Sequence, residues 1–148
     1  MHGSTSNGPT GAPPAGAAFG RADAAKAAAA VDAFFAGHDD ARARFDAVWA
    51  VAVGVAGEPV ALRIGRSEIA LCRAARPFAR LWRPAQYLGR GAPLVLTLGF
   101  RHRDPSPRWK SVVEPAPGRF THHLELRDPS DIDDEVRRWL AAAWADAA

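Results

Sequence analysis

His122 and His123 are adjacent in the sequence, and adjacency limits what chemistry they can share. Neighbouring residues on a strand point to opposite faces, so the pair does not suit one metal ion or one acid–base couple. Along this stretch Phe120, His122, Leu124 and Leu126 form an apolar row, while Thr121, His123, Glu125 and Arg127 form a polar one. His122 is therefore expected at the core or its rim, and His123 is expected to face outward. Catalysis by either would need a carboxylate or hydroxyl within hydrogen-bond reach, with Glu125 or Glu114 as candidate acids. Cys72, the chain's one cysteine, is in phase with Ala70 and opposite Ile69 and Leu71, which suits a small buried or half-buried thiol better than a nucleophile.

Arginine and aromatic residues interleave more conspicuously. Phe78, Arg80 and Trp82 alternate on one face of a short strand, followed by Tyr87 and Arg90, then Arg101, Arg103, Arg108, Trp109 and Lys110. Arg63, Arg66, Arg73 and Arg76 can join them across a preceding hairpin. Guanidinium groups track phosphates and aromatic faces stack on bases, so this composition suits a single-stranded nucleic-acid platform. The expected ligand-binding set is Arg63, Arg73, Arg80, Trp82, Arg108, Trp109 and Lys110, with His122 and His123 beside them. Against it stands the expectation that Phe78 and Trp82 are core residues with arginine stems laid over apolar surface.

The charge distribution favours the platform. Residues 63–110 carry ten Arg and one Lys against Glu68 and Asp104, a net of +9 in a chain whose total is +3. Residues 1–62 and 111–148 are net acidic, at −2 and −4. A basic block gathered on one face steers polyanions toward it.

Other chemistries lack their motifs. HxxxH, HExxH and CxxC spacings are missing, so neither a metal site nor a cofactor is expected. The acidic run 131–135 fits a helix N-terminus, where the dipole favours negative charge. Neither GxxxxGK[ST] nor GxGxxG occurs; Gly89-Arg90-Gly91 is a lone GxG. Ser67 lacks the second glycine of a nucleophile elbow, and no catalytic residue is assigned.

These residues must be positioned by helices and strands that the hydrophobic period marks out. Arg21 to Ala36 is alanine-rich, with Val31, Phe34 and Phe35 on one face and Gly37 as a stop. His38-Asp39-Asp40 opens a second helix with Phe45, Val48, Trp49, Ala52 and Val53 as its buried stripe. Val60, Leu62 and Ile64 then alternate as a strand, and Gly65-Arg66 reads as a two-residue hairpin turn into a second strand through Ile69 and Leu71. Phe78–Trp82 is a third strand, residues 93–101 the most apolar and central one, and Phe120–Leu126 the last; His102–Gly118 reads as the longest connection. Ser130 with Asp133 has capping-box spacing, and Ile132, Val136, Trp139, Leu140, Ala143 and Trp144 mark a final amphipathic helix. The order is α–α–β–β–β–β–β–α, an α/β chain of the α+β type. It predicts a mainly antiparallel sheet of about five strands, with two N-terminal helices and one C-terminal helix on one face.

With 148 residues, 48% of them hydrophobic, the chain can bury one core. Residues 1–20 are rich in Gly, Pro, Ser and Ala and read as a disordered tail, leaving 21–148 as one globular domain. The longest apolar run, Ala47–Ala56, is about half of the ~20 residues a bilayer needs, so no membrane is expected. The tail lacks the basic and apolar regions of a secretory signal, and the expected location is the cytoplasm.

The stretches Val31-Asp-Ala-Phe-Phe-Ala-Gly37, Ile69-Ala-Leu, Arg76-Pro-Phe-Ala-Arg80, Phe120-Thr-His-His123 and Asp131-Ile-Asp-Asp-Glu-Val-Arg-Arg-Trp-Leu140, in that order, carry a resemblance. Over about residues 28–147 the chain resembles a family of small bacterial domains labelled domain of unknown function 5655. The resemblance implies a compact α/β domain, with no agreed activity and no catalytic residue to carry over.

Three functions fit these residues. The first is a binding module whose basic face engages nucleic acid, a phosphorylated ligand or an acidic protein surface. The second is a self-associating structural domain, a homodimer formed through an uncovered sheet face. The third, least favoured, is a small enzyme using a histidine of the last strand.

Overall fold

A computed structural model describes residues 21–84 and 91–148, with side chains from residue 25 onward. The expected tail 1–20, Tyr87, Arg90 and most of the Gly89-Arg90-Gly91 stretch lie outside the described residues. Helix α1 (Arg21–Phe34) and helix α2 (Asp39–Val55) precede strands β1 (Ala61–Ile64), β2 (Ile69–Arg73), β3 (Arg76–Trp82), β4 (Leu94–Phe100), β5 (Ser111–Ala116) and β6 (Arg119–Leu126). A 3-10 turn at Pro129–Asp131 leads into helix α3 (Asp134–Asp146).

All the strands pair antiparallel in one sheet of order β1-β2-β3-β4-β6-β5, and the helices pack on one face of it. The sheet thus has six strands where the sequence suggested about five. The additional strand is β5, inside the expected long connection. It is an exposed edge strand containing Glu114 and Pro115, so it shows no apolar alternation. Its hairpin to β6 closes over Pro117-Gly118, and Gly118 has φ +75°, a conformation that glycine adopts without penalty.

The core forms where alternate residues of the central strands meet the helices. Leu94, Leu96 and Leu98 of β4 pair with Leu126, Leu124 and His122 of β6, and Leu81 and Ala79 of β3 lie on the other side. Against this row pack Phe45, Val48 and Ala52 of α2 and Val136, Leu140 and Ala143 of α3. Each fully buried leucine contributes roughly 1.5–3 kcal/mol relative to exposure.

Three local readings of the sequence are corrected. Between Cys72↔Pro77 and Leu71↔Ala79 the register slips by one residue, leaving Phe78 as the extra residue of a bulge. Phe78 therefore leaves the row of Arg80 and Trp82 and packs edge-on against Trp144 of α3, ring centroids 5.2 Å apart. The turn between β1 and β2 spans residues 65–68 rather than two, closed by a Gly65 N–H donating to the Glu68 carbonyl at 2.9 Å. At α3 the cap is Asp133, whose carboxylate accepts from Val136 N–H, while the capping box lies one turn earlier on Asp128 and Asp131. No helix among the described residues is long and apolar enough to cross a membrane.

Candidate functional site on the open sheet face

No described helix packs on the second face of the sheet, although Ala70, Cys72, Val95 and Thr97 on it are buried. Its central rows are Arg80 and Trp82 on β3, Val95, Thr97 and Gly99 on β4, and Thr121, His123 and Glu125 on β6. Two cavities lie along them.

The first, about 490 Å³, opens at the Gly99 end and is lined by Arg76, Arg80, Arg101 and Arg119. Strand pairing brings these together: Phe100 faces Phe120, which sets Arg101 at the end of β4 beside Arg119 at the start of β6. Among the described residues the guanidinium groups of Arg101 and Arg119 have no hydrogen-bond or ion-pair partner. Arg76 donates to the Ala148 carbonyl at 3.0 Å, and Arg80 pairs with Glu68 at 2.9 Å. Asp146 is the acid among the lining residues, and its carboxylate accepts the Arg101 backbone N–H at 3.1 Å. Gly99 forms part of the floor; a Cβ added there would meet nothing within 4 Å.

The second cavity, about 700 Å³, is lined by Trp82, Val95, Ser111, His123 and Glu125, with Lys110 and Arg127 at its acid–base rim. Trp82 Nε1 donates to Thr97 Oγ1 at 3.0 Å, and Thr97 Oγ1 lies 2.8 Å from His123 Nδ1. An indole N–H only donates, so the hydroxyl accepts it, and the same oxygen meets Nδ1 through its own proton or its second lone pair. Burial lowers the His123 pKa, which keeps the ring neutral. Glu125 accepts from Lys110 at 3.2 Å and from Arg127 at 3.3 Å.

The remaining expected site residues sit elsewhere. His122 is fully buried; its Nε2 accepts the Asp104 N–H at 3.0 Å and its Nδ1 faces the Phe120 carbonyl at 3.3 Å. Trp109 is 8% exposed, its ring centroid 4.0 Å from that of Trp139 at a 34° tilt, with its N–H on Asp104. Arg108 is held by Asp133 and Glu135 and by the Asp131 carbonyl. Arg73 donates to the Trp144 carbonyl and lies over its ring, while Arg63 donates to the Ala75 carbonyl. The basic middle of the chain thus divides between helix-end caps and the cleft. Arg119 escaped sequence reasoning because it lies in an acidic block, and only the β4–β6 register shows its place.

Strands β4, β5 and β6 with α3 supply most of this face and the helix packed behind it. Residues 89–147 match the family model for domain of unknown function 5655. The match covers that unit, in agreement with the resemblance read from the sequence, and stops short of α1, α2 and β1 to β3. Arg101, Arg119, Thr97 and His123 fall inside the segment matching domain of unknown function 5655, whereas Arg76, Arg80 and Trp82 fall outside it. No curated protein and no solved structure matches the chain. Among the described residues no three His, Cys, Asp or Glu converge as a metal site.

Proposed function

We propose that the domain is a binding module whose open sheet face takes an anionic ligand in the arginine cleft. One observation carries this reading: Arg76, Arg80, Arg101 and Arg119 line one cleft against a single lining acid, Asp146. Arginine presents a planar fork of donors that matches phosphate and carboxylate oxygens in pairs. The C-terminal end of α3 also lies there and disfavours anions, but Arg76 donates to the Ala148 carbonyl just beyond it.

An enzyme fits less well. His122 has both ring nitrogens engaged within the core, and His123 is oriented by a hydroxyl rather than by a carboxylate. One cysteine, buried and unpaired, suits a reducing compartment, and we assign the domain to the cytoplasm. Self-association through the open face is the competing reading, and the uncovered sheet itself favours it.

The test is anisotropy of a labelled single-stranded oligonucleotide across a salt series. Wild type is expected to bind at low salt and to weaken steeply as salt rises. Arg101→Glu with Arg119→Glu should abolish binding. The pair Arg66→Glu with Arg138→Glu changes net charge equally but spares the cleft, and should retain most of it. Equal loss in both would reduce the effect to overall charge. Sedimentation without ligand separates the competing reading, which requires a concentration-dependent dimer.

A further inference from the structure

Both cavities reach the open sheet face, the first also running round its end to Ala143 and Asp146 of α3, and Arg80 lies between them. It lines the arginine cleft, yet its cross-strand partner is Thr97, the hydroxyl that orients Trp82 and His123. On β6 the step from Thr121 in the first cavity to His123 in the second is two residues. At a rise of ~3.4 Å per residue this is about 7 Å, the scale of a pentose between a phosphate and its base.

The second cavity is built differently from the first. Trp82 and His123 stand at 90° with ring centroids 6.2 Å apart, fixed by one hydroxyl that is 6% exposed with the rest of Thr97. A perpendicular pair held this way forms a rigid corner, which binds a flat ring with little loss of side-chain freedom. His123 Nε2 has no partner among the described residues and is available to a polar ring atom. Ser111 adds a hydroxyl and Val95 an apolar floor. Flat ring, polar ring atom and a nearby anion together describe one chemical class.

We propose that the open face binds a phosphorylated nucleobase, its phosphate in the arginine cleft and its ring in the Trp82–Thr97–His123 corner. This rests on the anion-binding reading above and adds the ring site to it. The same chemistry arrives in two forms, as a free nucleotide or as a unit of single-stranded nucleic acid.

Calorimetric titration of the full chain with inorganic phosphate, adenosine, adenosine monophosphate and a short single-stranded oligonucleotide tests it. The nucleotide is expected to bind at least about tenfold more tightly than phosphate or the nucleoside alone. His123→Ala, and separately Thr97→Val, should bring the nucleotide down to the affinity of phosphate and leave phosphate itself unchanged. Arg101→Glu with Arg119→Glu should remove both. An oligonucleotide that outbinds the mononucleotide identifies the strand as the source, and equal affinity identifies the free nucleotide. If phosphate and nucleotide bind wild type equally, the ring site is overturned while the anion cleft stands. If neither binds, both fall. The wild-type comparison decides this without requiring any variant to fold.

Discussion

The backbone N–H of Asp104 donates to Nε2 of His122 at 3.0 Å, and this contact ties the loop before β5 to the buried side of β6. The Asp104 carboxylate in turn accepts the Trp109 indole N–H at 2.9 Å and the Ser106 N–H at 3.1 Å. Because Nε2 accepts, His122 must be neutral with its hydrogen on Nδ1, directed at the Phe120 carbonyl. A histidine whose neutral form is written into the core makes stability depend on pH.

Burial pushes the His122 pKa down, and the same holds for His123. The unfolded chain, with histidine near ~6.5, therefore takes up protons before the folded one does. The contribution of these residues is complete above ~6.5 and is lost as pH falls through the folded values. Some desolvation opposes ionisation of Asp104 and Asp133, but their hydrogen bonds prevail and hold both carboxyls below the usual range. Their contribution is present above ~4 and lost below it. Urea denaturation should thus show a midpoint that drops between pH 7.5 and 5.5, then again below pH 4. His122→Phe should flatten the first drop while lowering stability at pH 7.5 by ~1–3 kcal/mol, because the Asp104 N–H loses its acceptor.

Arg108 was legible as a cation but not as a brace. Its guanidinium meets Asp133 at 3.0 Å, Glu135 at 2.8 Å and the Asp131 carbonyl at 2.9 Å, and it lies 5.4 Å from the Trp139 ring centroid. It fastens the 101–110 loop to the first turn of α3. Arg108→Ala should lower stability by about 1–2 kcal/mol, since charge-assisted bonds and a half-covered cation–π contact go together. Arg108→Lys should recover little, because a point charge cannot reach a carbonyl and two carboxylates at once. Denaturant midpoints measure both. A variant as stable as wild type would remove the brace from the account.

Cys72 illustrates how a strand phase can be right and its environment still need coordinates. It falls on the open face with Arg63 and Arg80 nearby, a setting that would activate an exposed thiol. It is only 2% exposed, and burial outweighs the two arginines and raises its pKa. Reaction with a thiol reagent at pH 8 should be slow in the native protein and fast in urea. Rapid native labelling would show that this part of the sheet opens.

What the sequence conveyed was period and what it hid was register. Alternation alone separated Phe120, His122, Leu124 and Leu126 from Thr121, His123 and Glu125, because a one-residue error would bury the wrong row. The α3 stripe was equally clear from its 3.6-residue repeat. Phe78 was assigned to the wrong face because a bulge leaves no mark in composition. β5 was read as a connection because its edge position demands no apolar alternation. The arginine cleft needed the pairing of β4 with β6, which joins residues from a basic and an acidic block of the chain.

Gly99 provides the sharpest test of the cleft. It is exposed in the middle of a central strand, where glycine is a weak choice that often marks a close approach by another molecule. A Cβ at this position meets no atom within 4 Å, and its φ lies outside the range that strains L-residues. Gly99→Val should therefore fold normally and gain up to ~1 kcal/mol from the higher strand preference of valine. The added methyl groups would occupy the floor between Arg80, Arg101 and Arg119, so anion affinity should fall by at least about tenfold. Measured together, a melting temperature equal to or above wild type and a lost ligand would separate occupancy from stability. Retained affinity in a stable Gly99→Val variant would move the ligand off this face.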